Sequence, residues 1–552
     1  MKLTRLASAI SFTLLSLSAA EAAQYKVVEM DTSEIAENAY ARALNSSGQM
    51  AVVISDEYEP PIDLDLIDFT SSVMLNGLED IAAAKVGNFT TDDYEFLYSY
   101  IKNSDGSLYY QQLADYTSYI MNDNEETYVK GFDVIDSDLD GYTRSTETKV
   151  RGINDLGWVV GSSEDAYYKI DYTSEEENED ITYVINDFSK HGFVQIGDET
   201  VDLVPTEDLL NGISEAYDIN DSYQVVGWGT TEVLDSFEDS VEDCEDEDER
   251  GDIPYLVCLK NLIDSADSAY QKRGMIWQLD SSGNIIKTEE LGLLLTPSTE
   301  DEDTVYTSVA VAINDNGVAV GYSDDYYQDS TTVATFAAIF DGNEVTGFTD
   351  HQEYFTSYAT DINNNDIVTG YAYTTINGST RTKFYIYDIY SGQTTYPDDF
   401  FPGSSSVAHA INDDNLVVGE GEVEYSTTGT RRKEAFIYDI NDNLFQNLND
   451  LIVCTSDYTI VQAYDINDDG EIAATATVRR TSKDIKGEEE LDDKGDPIEE
   501  DQLVAVRLEP ITGGVEEACD DDSGYERQGA SNGWWGLTLL SGLVFWRRRK
   551  VA

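Results

Sequence analysis

The chain has 552 residues, with 109 Asp and Glu against 33 Lys and Arg, a formal net charge of −76 and a pI near 4.1. Neutralising phosphates takes clustered Lys and Arg, and here the basic residues are scattered among acids, which excludes nucleic-acid binding and docking of the body on anionic lipid. A hydrophobic fraction of 41% with 11% aromatic residues still supplies a core, so the acidity reads as a solvated, self-repelling surface outside the cell.

Met1–Ala22 opens with Lys2 and Arg5, runs through the apolar, small-residue stretch Leu6 to Ala20 and ends on Ala20-Glu21-Ala22. This pattern predicts a secretory signal cleaved between Ala22 and Ala23. Residues 23–510 read as one repeated body. Its recurring element is a small residue or Asp, then Ile/Leu-Asn, a polar turn, and a short apolar strand. The Asn of each copy is Asn45, Asn154, Asn220, Asn314, Asn363, Asn412 or Asn467. Five copies continue to a glycine at Gly161, Gly227, Gly321, Gly370 or Gly419. Asn, Asp and Gly tolerate positive φ, so the motif predicts a tight hairpin, with each Asn capping its own turn rather than joining a ligand ring.

A second strand is predicted after each copy: Gly131–Asp136, Gly192–Gly197, Met275–Asp280, Ala337–Asp341, Phe384–Asp388, Ala435–Asp439 and Val504–Leu508. The spacing from Asn314 to Asn363 and from Asn363 to Asn412 is that of a four-stranded propeller blade, and longer spacings are blades with insertions. The predicted fold is mainly β: a seven-bladed propeller, with an open β-solenoid as the alternative. Closure is expected from Tyr25–Asp31 joining the last sheet near Leu503–Leu508.

The repeat resembles the HAF-type extracellular repeat, most closely at Gly152–Gly161, Ala312–Gly321 and Ala410–Gly419 with Ala435-Phe436. The whole chain is similar to an uncharacterised family of acidic exported proteins that bear such repeats. That resemblance implies no activity.

Three insertions are predicted. Residues 60–125 read as helical, with Phe96, Leu97, Tyr100 and Ile101 at helical spacing and a second helix from Leu108 to Met121 carrying Leu113, Tyr116 and Ile120. Residues 229–272 hold the acidic run Glu242–Glu249, and residues 482–502 read as a mobile charged loop. Asp136, Asp138 and Asp140, with Gly141 and with Glu147 at position twelve, fit a calcium loop, which makes calcium the one candidate cofactor. The competing reading is an acidic hairpin turn, since the flanks are strand-like and Arg144 stands at position nine. In an exported chain the four cysteines predict disulfides, paired as Cys244–Cys258 and Cys454–Cys519.

Residues 511–532 read as a linker. Residues 533–552 hold the uncharged run Gly533 to Trp546 followed by Arg547-Arg548-Arg549-Lys550, a hydrophobic segment whose basic end stays cytoplasmic. The tail resembles the GlyGly-CTERM sorting signals of Gram-negative bacteria through Gly529-Ala530-Ser531-Asn532-Gly533, the apolar run and Arg547 to Arg549. Asn532-Gly533 stands where those signals have Gly-Gly. The resemblance implies removal by an intramembrane protease and release to the cell surface or medium. Without that processing the body stays periplasmic, anchored to the inner membrane.

Enzyme signals are poor. His191, His351 and His409 show no zinc spacing, and there is no G-x-S-x-G elbow or phosphate-binding glycine loop. The expected function is an exported binding module for an extracellular protein, glycan or matrix component. The alternative is a secreted glycan-active hydrolase or lyase using carboxylates on the propeller face.

Overall fold

The computed structural model describes residues 23–517, apart from 123–124, 176–177, 208, 298–303, 329, 343, 426–429 and the side chain of Ser236. The signal segment 1–22, Cys519 and the tail 533–552 lie outside the described residues. Among the described residues, seven four-stranded antiparallel sheets succeed one another along the chain. Their innermost strands are Ala36–Leu44, Thr148–Ile153, Ser214–Ile219, Ser308–Ile313, Thr356–Ile362, Ser406–Ile411 and Thr459–Ile466. Each innermost strand contacts the next, and that of the seventh blade contacts that of the first, so the ring closes into a propeller and not an open solenoid.

Closure is made by the chain's own beginning. Tyr25–Glu29 pairs antiparallel with Glu499–Pro510 and completes the seventh blade, with Tyr25 opposite Pro510 and Val28 opposite Arg507. The last blade is thus built from both ends of the body, and its outer edge is not left bare.

Each strand alternates its side chains between two faces, and both faces of every blade need cover. Seven apolar clusters lie one between each pair of neighbours. Phe384 and Phe436 fill the junction of blades five and six, and Met275 and Trp277 that of blades two and three. Towards the axis the space narrows, and the innermost strands answer with small residues: Ala41, Ala216, Ala310, Ala359, Ala408 and Ala463 are all buried. The recurring glycines lie opposite this crowded stretch. A Cβ at Gly161, Gly227, Gly321, Gly370 or Gly419 would collide with a carbonyl oxygen of the innermost strand, so the motif's last position is a steric requirement.

Four expectations need correction. The third strand of the first blade is Tyr116–Asn122, paired with Met50–Glu57, whereas Gly131–Asp136 is loop apart from the two-residue strand Ile135–Asp136. Leu113, Tyr116 and Ile120 have helical spacing, but Thr117, Tyr119 and Ile120 are strand formers, and the edge of Met50–Glu57 captures them. Helix in the first insertion ends with Thr91–Lys102, which buries Tyr94, Leu97 and Ile101. The second insertion is narrower than 229–272, because Gln224–Val233 and Tyr270–Leu279 are long blade strands. Between them lie the helices Asp235–Glu245, Glu247–Arg250 and Tyr255–Ile263. Finally, the segment from Ser482 to Ile498 folds back on itself through tight turns at Asp484 and Asp492, and Ile485 packs on the helical insertion.

The crowding makes a prediction. Gly321→Ala should cost about 1–3 kcal/mol of stability, whereas Gly403→Ala, where a Cβ meets nothing within 4 Å, should leave the urea midpoint unchanged. Equal effects of the two would refute the steric account.

Candidate functional site

The hairpin turns between first and second strands gather at one end of the axis. Each motif Asn accepts, through Oδ1, the backbone N–H four residues on: Gln49, Trp158, Gln224, Val318, Ile367, Leu416 and Glu471 are the donors. That is the expected turn cap. The side chain does a second job that local reasoning missed. Its Nδ2 donates to the carbonyl of the motif Asn in the next blade, at 2.9–3.3 Å, and the seventh link, from Asn467 to Asn45, closes the circle. A rim lies outside this ring, where the backbone N–H after six of the seven Asn residues donates to the following blade's rim side chain, from Ser46 through Asp155, Asp221, Asp315, Asn364 and Asp413 to Asp468. Ring and rim line an open depression of about 230 Å³. Burial, reinforced by neighbouring rim carboxylates, pushes Asp221 and Asp468 above the usual carboxylate range.

Two residues before the Asn, blades three, five and seven carry Asp218, Asp361 and Asp465, while the other blades carry Ala43, Gly152, Ala312 and Ala410. Each Asp caps two backbone N–H groups, one in its own strand and one in the next blade: Ile313, Ile411 and Leu44 respectively. Enclosure by protein raises all three, Asp465 to about 6, and repulsion from neighbouring carboxyls adds to the effect, from Asp315 on Asp218 and from Asp218 on the other two.

The next level is made by β-bulges. In all seven innermost strands the register slips by one residue at the same place, at Arg42, Arg151, Tyr217, Val311, Thr360, His409 and Tyr464. A bulge re-aims the extra residue's side chain. Here the bulged residues meet one another from blade to blade. Arg151 lies over the Tyr217 ring at 4.7 Å, Arg42 over Tyr464 at 4.6 Å, and His409 stacks on Tyr464 at 4.8 Å.

The connections from second to third strand emerge at the opposite end. Four of them, on blades seven, one, two and three, are long. The blade-two connection holds a hairpin, Tyr168–Thr173 with Asp180–Ile185, that sequence reasoning did not find. Val257 of the acidic insertion packs against its Tyr183 and Ile185. A groove of about 330 Å³ opens here between blades two and three, lined by Lys149, Arg151, Lys190, Glu164, Glu215 and Ile263 among others. Glu215 pairs with both Lys190 and Arg151. Burial, with Glu147 nearby, pushes Glu164 up to about 7.

Comparison with known proteins starts from the whole sequence. Residues 4–549 match a family described as "Protein of unknown function (DUF3466)". The chain belongs to the DUF3466 family. Comparison with curated protein sequences returns no match. Among solved structures, this DUF3466 chain is similar to the β-propeller domain of the Trilobed protease from Pyrococcus furiosus, at 9% identity and a TM-score of 0.34 over 84% of this chain and 97% of that one. It is also similar to puromycin hydrolase, at 10% identity and a TM-score of 0.33, with 67% of this chain and 47% of that one covered. The acylaminoacyl peptidase of Pyrococcus horikoshii follows at 12% identity and a TM-score of 0.28 over 82% and 60%. These likenesses concern the fold only.

The remaining expected site residues fall as follows. Asp136, Asp138 and Asp140 lie on a small exposed hairpin in which Asp136 accepts the N–H of Asp138, and Glu147 is turned away to pair with Lys149. The four do not converge, and among the described residues no group of three or more His, Cys, Asp or Glu is placed to hold a metal ion. The arrangement is that of an acidic hairpin, the competing reading of these residues, with short strands on its flanks. Cys244 and Cys258 form a disulfide that joins two helices of the acidic insertion, with Cα atoms 5.7 Å apart. Cys454 is also disulfide-bonded, and its expected partner Cys519 lies outside the described residues. Ala23, the expected first residue after cleavage, is buried, while Ala22 lies outside the described residues. No helix among the described residues is long and apolar enough to cross a membrane.

The axial carboxyls carry a pH dependence. Asp465 binds its proton more tightly folded than unfolded, so its stabilising contribution is complete below the unfolded value of about 3.9 and is lost as pH rises through about 6. Asp465→Asn should flatten the fall in stability between about pH 4 and pH 7 by roughly 1–3 kcal/mol. Urea unfolding at the two pH values checks this, and an unchanged slope would assign the proton to another group.

Proposed function

We propose that this DUF3466 chain is an exported acidic binding module whose binding face is the propeller end that carries the long connections. The observation that carries the reading is the convergence at that end of four long connections and a groove into which Arg151 of the bulge belt reaches. Rigid blades that position loops over a concave site are a common way to build specificity. The partner is an extracellular protein, glycan or matrix component.

Export is supported by the Met1–Ala22 pattern and by the Cys244–Cys258 disulfide, which suits an oxidising compartment. The HAF-type character of the repeat fits the same setting. The sorting-type tail at 533–552 extends the proposal to removal of that tail and residence at the surface or in the medium of a Gram-negative cell. Intact mass in each cell fraction tests this part. The expected species starts at Ala23 and ends near Gly533, and it lies outside the inner membrane. A species that keeps Arg547 to Arg549 and is found only with the inner membrane would end the sorting proposal.

Binding is tested by immobilising the protein and presenting polysaccharide and surface proteins of the producing cells. Retention is expected, and a double Arg151→Glu, Lys190→Glu change in the groove should weaken it at least tenfold. No retention of either class would end the reading.

A second reading, a glycan-active hydrolase or lyase, has one observation in its favour. Glu164, raised to about 7 beside Glu147 in the groove, holds a proton near neutral pH as a general acid must. Release of new sugar ends, abolished by Glu164→Gln, would establish it over simple binding.

A further inference from the structure

We propose that the axial channel at the level of the strand bulges binds the carboxylate of an acidic sugar, a hexuronic acid, with Arg42 as its anchor. The proposal rests on the binding-module reading and names the ligand class. It starts from charge. Acids outnumber bases 109 to 33 in this chain, yet none of the seven bulge positions holds a carboxylate. They hold two arginines, one histidine, two tyrosines, a threonine and a valine.

Arg42 itself is exceptional. Among the described residues it is the one arginine with neither an ion pair nor a hydrogen bond to protein. The others are engaged, as Arg144 is with Glu57, Arg431 with Glu422, Arg480 with Glu29 and Arg381 with the Gly403 carbonyl. Its guanidinium is held instead by ring faces, 4.6 Å from the centroid of Tyr464 and 5.9 Å from that of Tyr40. Stacking leaves all five N–H donors in the guanidinium plane unused. In so anionic a chain, a cation kept from every carboxylate is placed for an anion from outside.

His409 supplies the second, independent sign. Its Nε2 is buried and has no hydrogen-bond partner, although buried polar atoms are ordinarily paired. Its ring stacks on Tyr464, the same tyrosine that carries Arg42. Blades six, seven and one thus present an imidazole, a phenol ring and a guanidinium in sequence. Burial holds the imidazole below its ordinary pKa against the pull of the buried Glu420 carboxylate, so at neutral pH it is uncharged and suited to a sugar hydroxyl.

The class of anion follows from these groups. A planar carboxylate matches the guanidinium fork with two parallel hydrogen bonds. A dianion such as a phosphate monoester would face the carboxyls of Asp218, Asp361 and Asp465 in the adjoining level.

Calorimetric titration with glucuronate and galacturonate oligosaccharides, neutral oligosaccharides of equal length and inorganic sulfate tests the proposal. The uronides should bind, Arg42→Gln should weaken them at least tenfold with the melting temperature unchanged, and neutral sugars and sulfate should bind at least tenfold more weakly. If Arg42→Gln fails to fold, Arg42→Lys, which keeps the charge but loses the fork, should weaken uronides three- to tenfold. Uronide binding indifferent to Arg42, equal binding of neutral sugars or sulfate, or no uronide binding would overturn the proposal. Retention of cell-surface material in the immobilisation experiment would in each case leave the binding module standing.

Discussion

Seven asparagine side chains, each linking its own hairpin to the next, are the constraint on which the rest of the molecule depends. One amide performs two tasks. Oδ1 fixes the turn within a blade, and Nδ2 satisfies a carbonyl of the neighbouring blade. The acceptor carbonyl belongs to an Asn whose turn is fixed in the same way, so local turn chemistry and ring closure reinforce each other. Once the turns are tied at one end, the innermost strands cannot move apart. Their tight approach demands small residues facing inward and glycine opposite them, and the bulge that follows sets which side chains enter the axis. A buried carbonyl left without its amide costs about 1–3 kcal/mol, so a single missing Asn is felt by two blades.

Much of this fold was legible because the repeat announces it. The Asn turns, six of the seven third strands and the closing strand Tyr25–Glu29 were readable from turn residues and alternation. The failures have a common physical cause, which is that local pattern decides only where nothing distant competes. Tyr116–Asn122 has helical spacing but pairs with a strand that ends about sixty residues earlier, at Glu57. The acidic segment at Asp235–Glu245 looks unstructured by composition, and a disulfide to the helix Tyr255–Ile263 and packing of Phe237 near Tyr270 order it as helix. The segment after Ser482 looks mobile by charge, yet Lys483 reaches the Ser33 carbonyl and Ile485 finds an apolar surface.

The candidate site was less legible than the fold. The Asn residues were visible as turn caps, but the ring needs knowledge of which carbonyl lies next door. The bulge positions were invisible. Arg42, Arg151 and His409 stand in unremarkable places between small apolar residues, and only the register slip shows that they share one level. One signal was present in the sequence: the residue three before the motif Asn is Arg, Arg, Tyr, Val, Thr, His and Tyr in turn, in a chain where an acid would be the commonest charged choice.

The arithmetic of an odd ring accounts for where the arginines sit. Each axial Asp reaches one blade onward to an N–H beside the next motif, so the position it passes must be small: Ala312 after Asp218, Ala410 after Asp361, and Ala43 after Asp465. Asp and small residue therefore alternate, but seven positions cannot alternate perfectly. The defect falls at blades one and two, where Ala43 and Gly152 are consecutive and no Asp intervenes. Those same two blades carry Arg42 and Arg151 at the bulge. The two bulge arginines thus stand on the blades that carry no axial Asp of their own, with Asp465 reaching in from blade seven to the N–H of Leu44. Of the two, Arg151 is neutralised by Glu215 of the third blade, whereas Arg42 keeps its charge against the ring faces of Tyr464 and Tyr40.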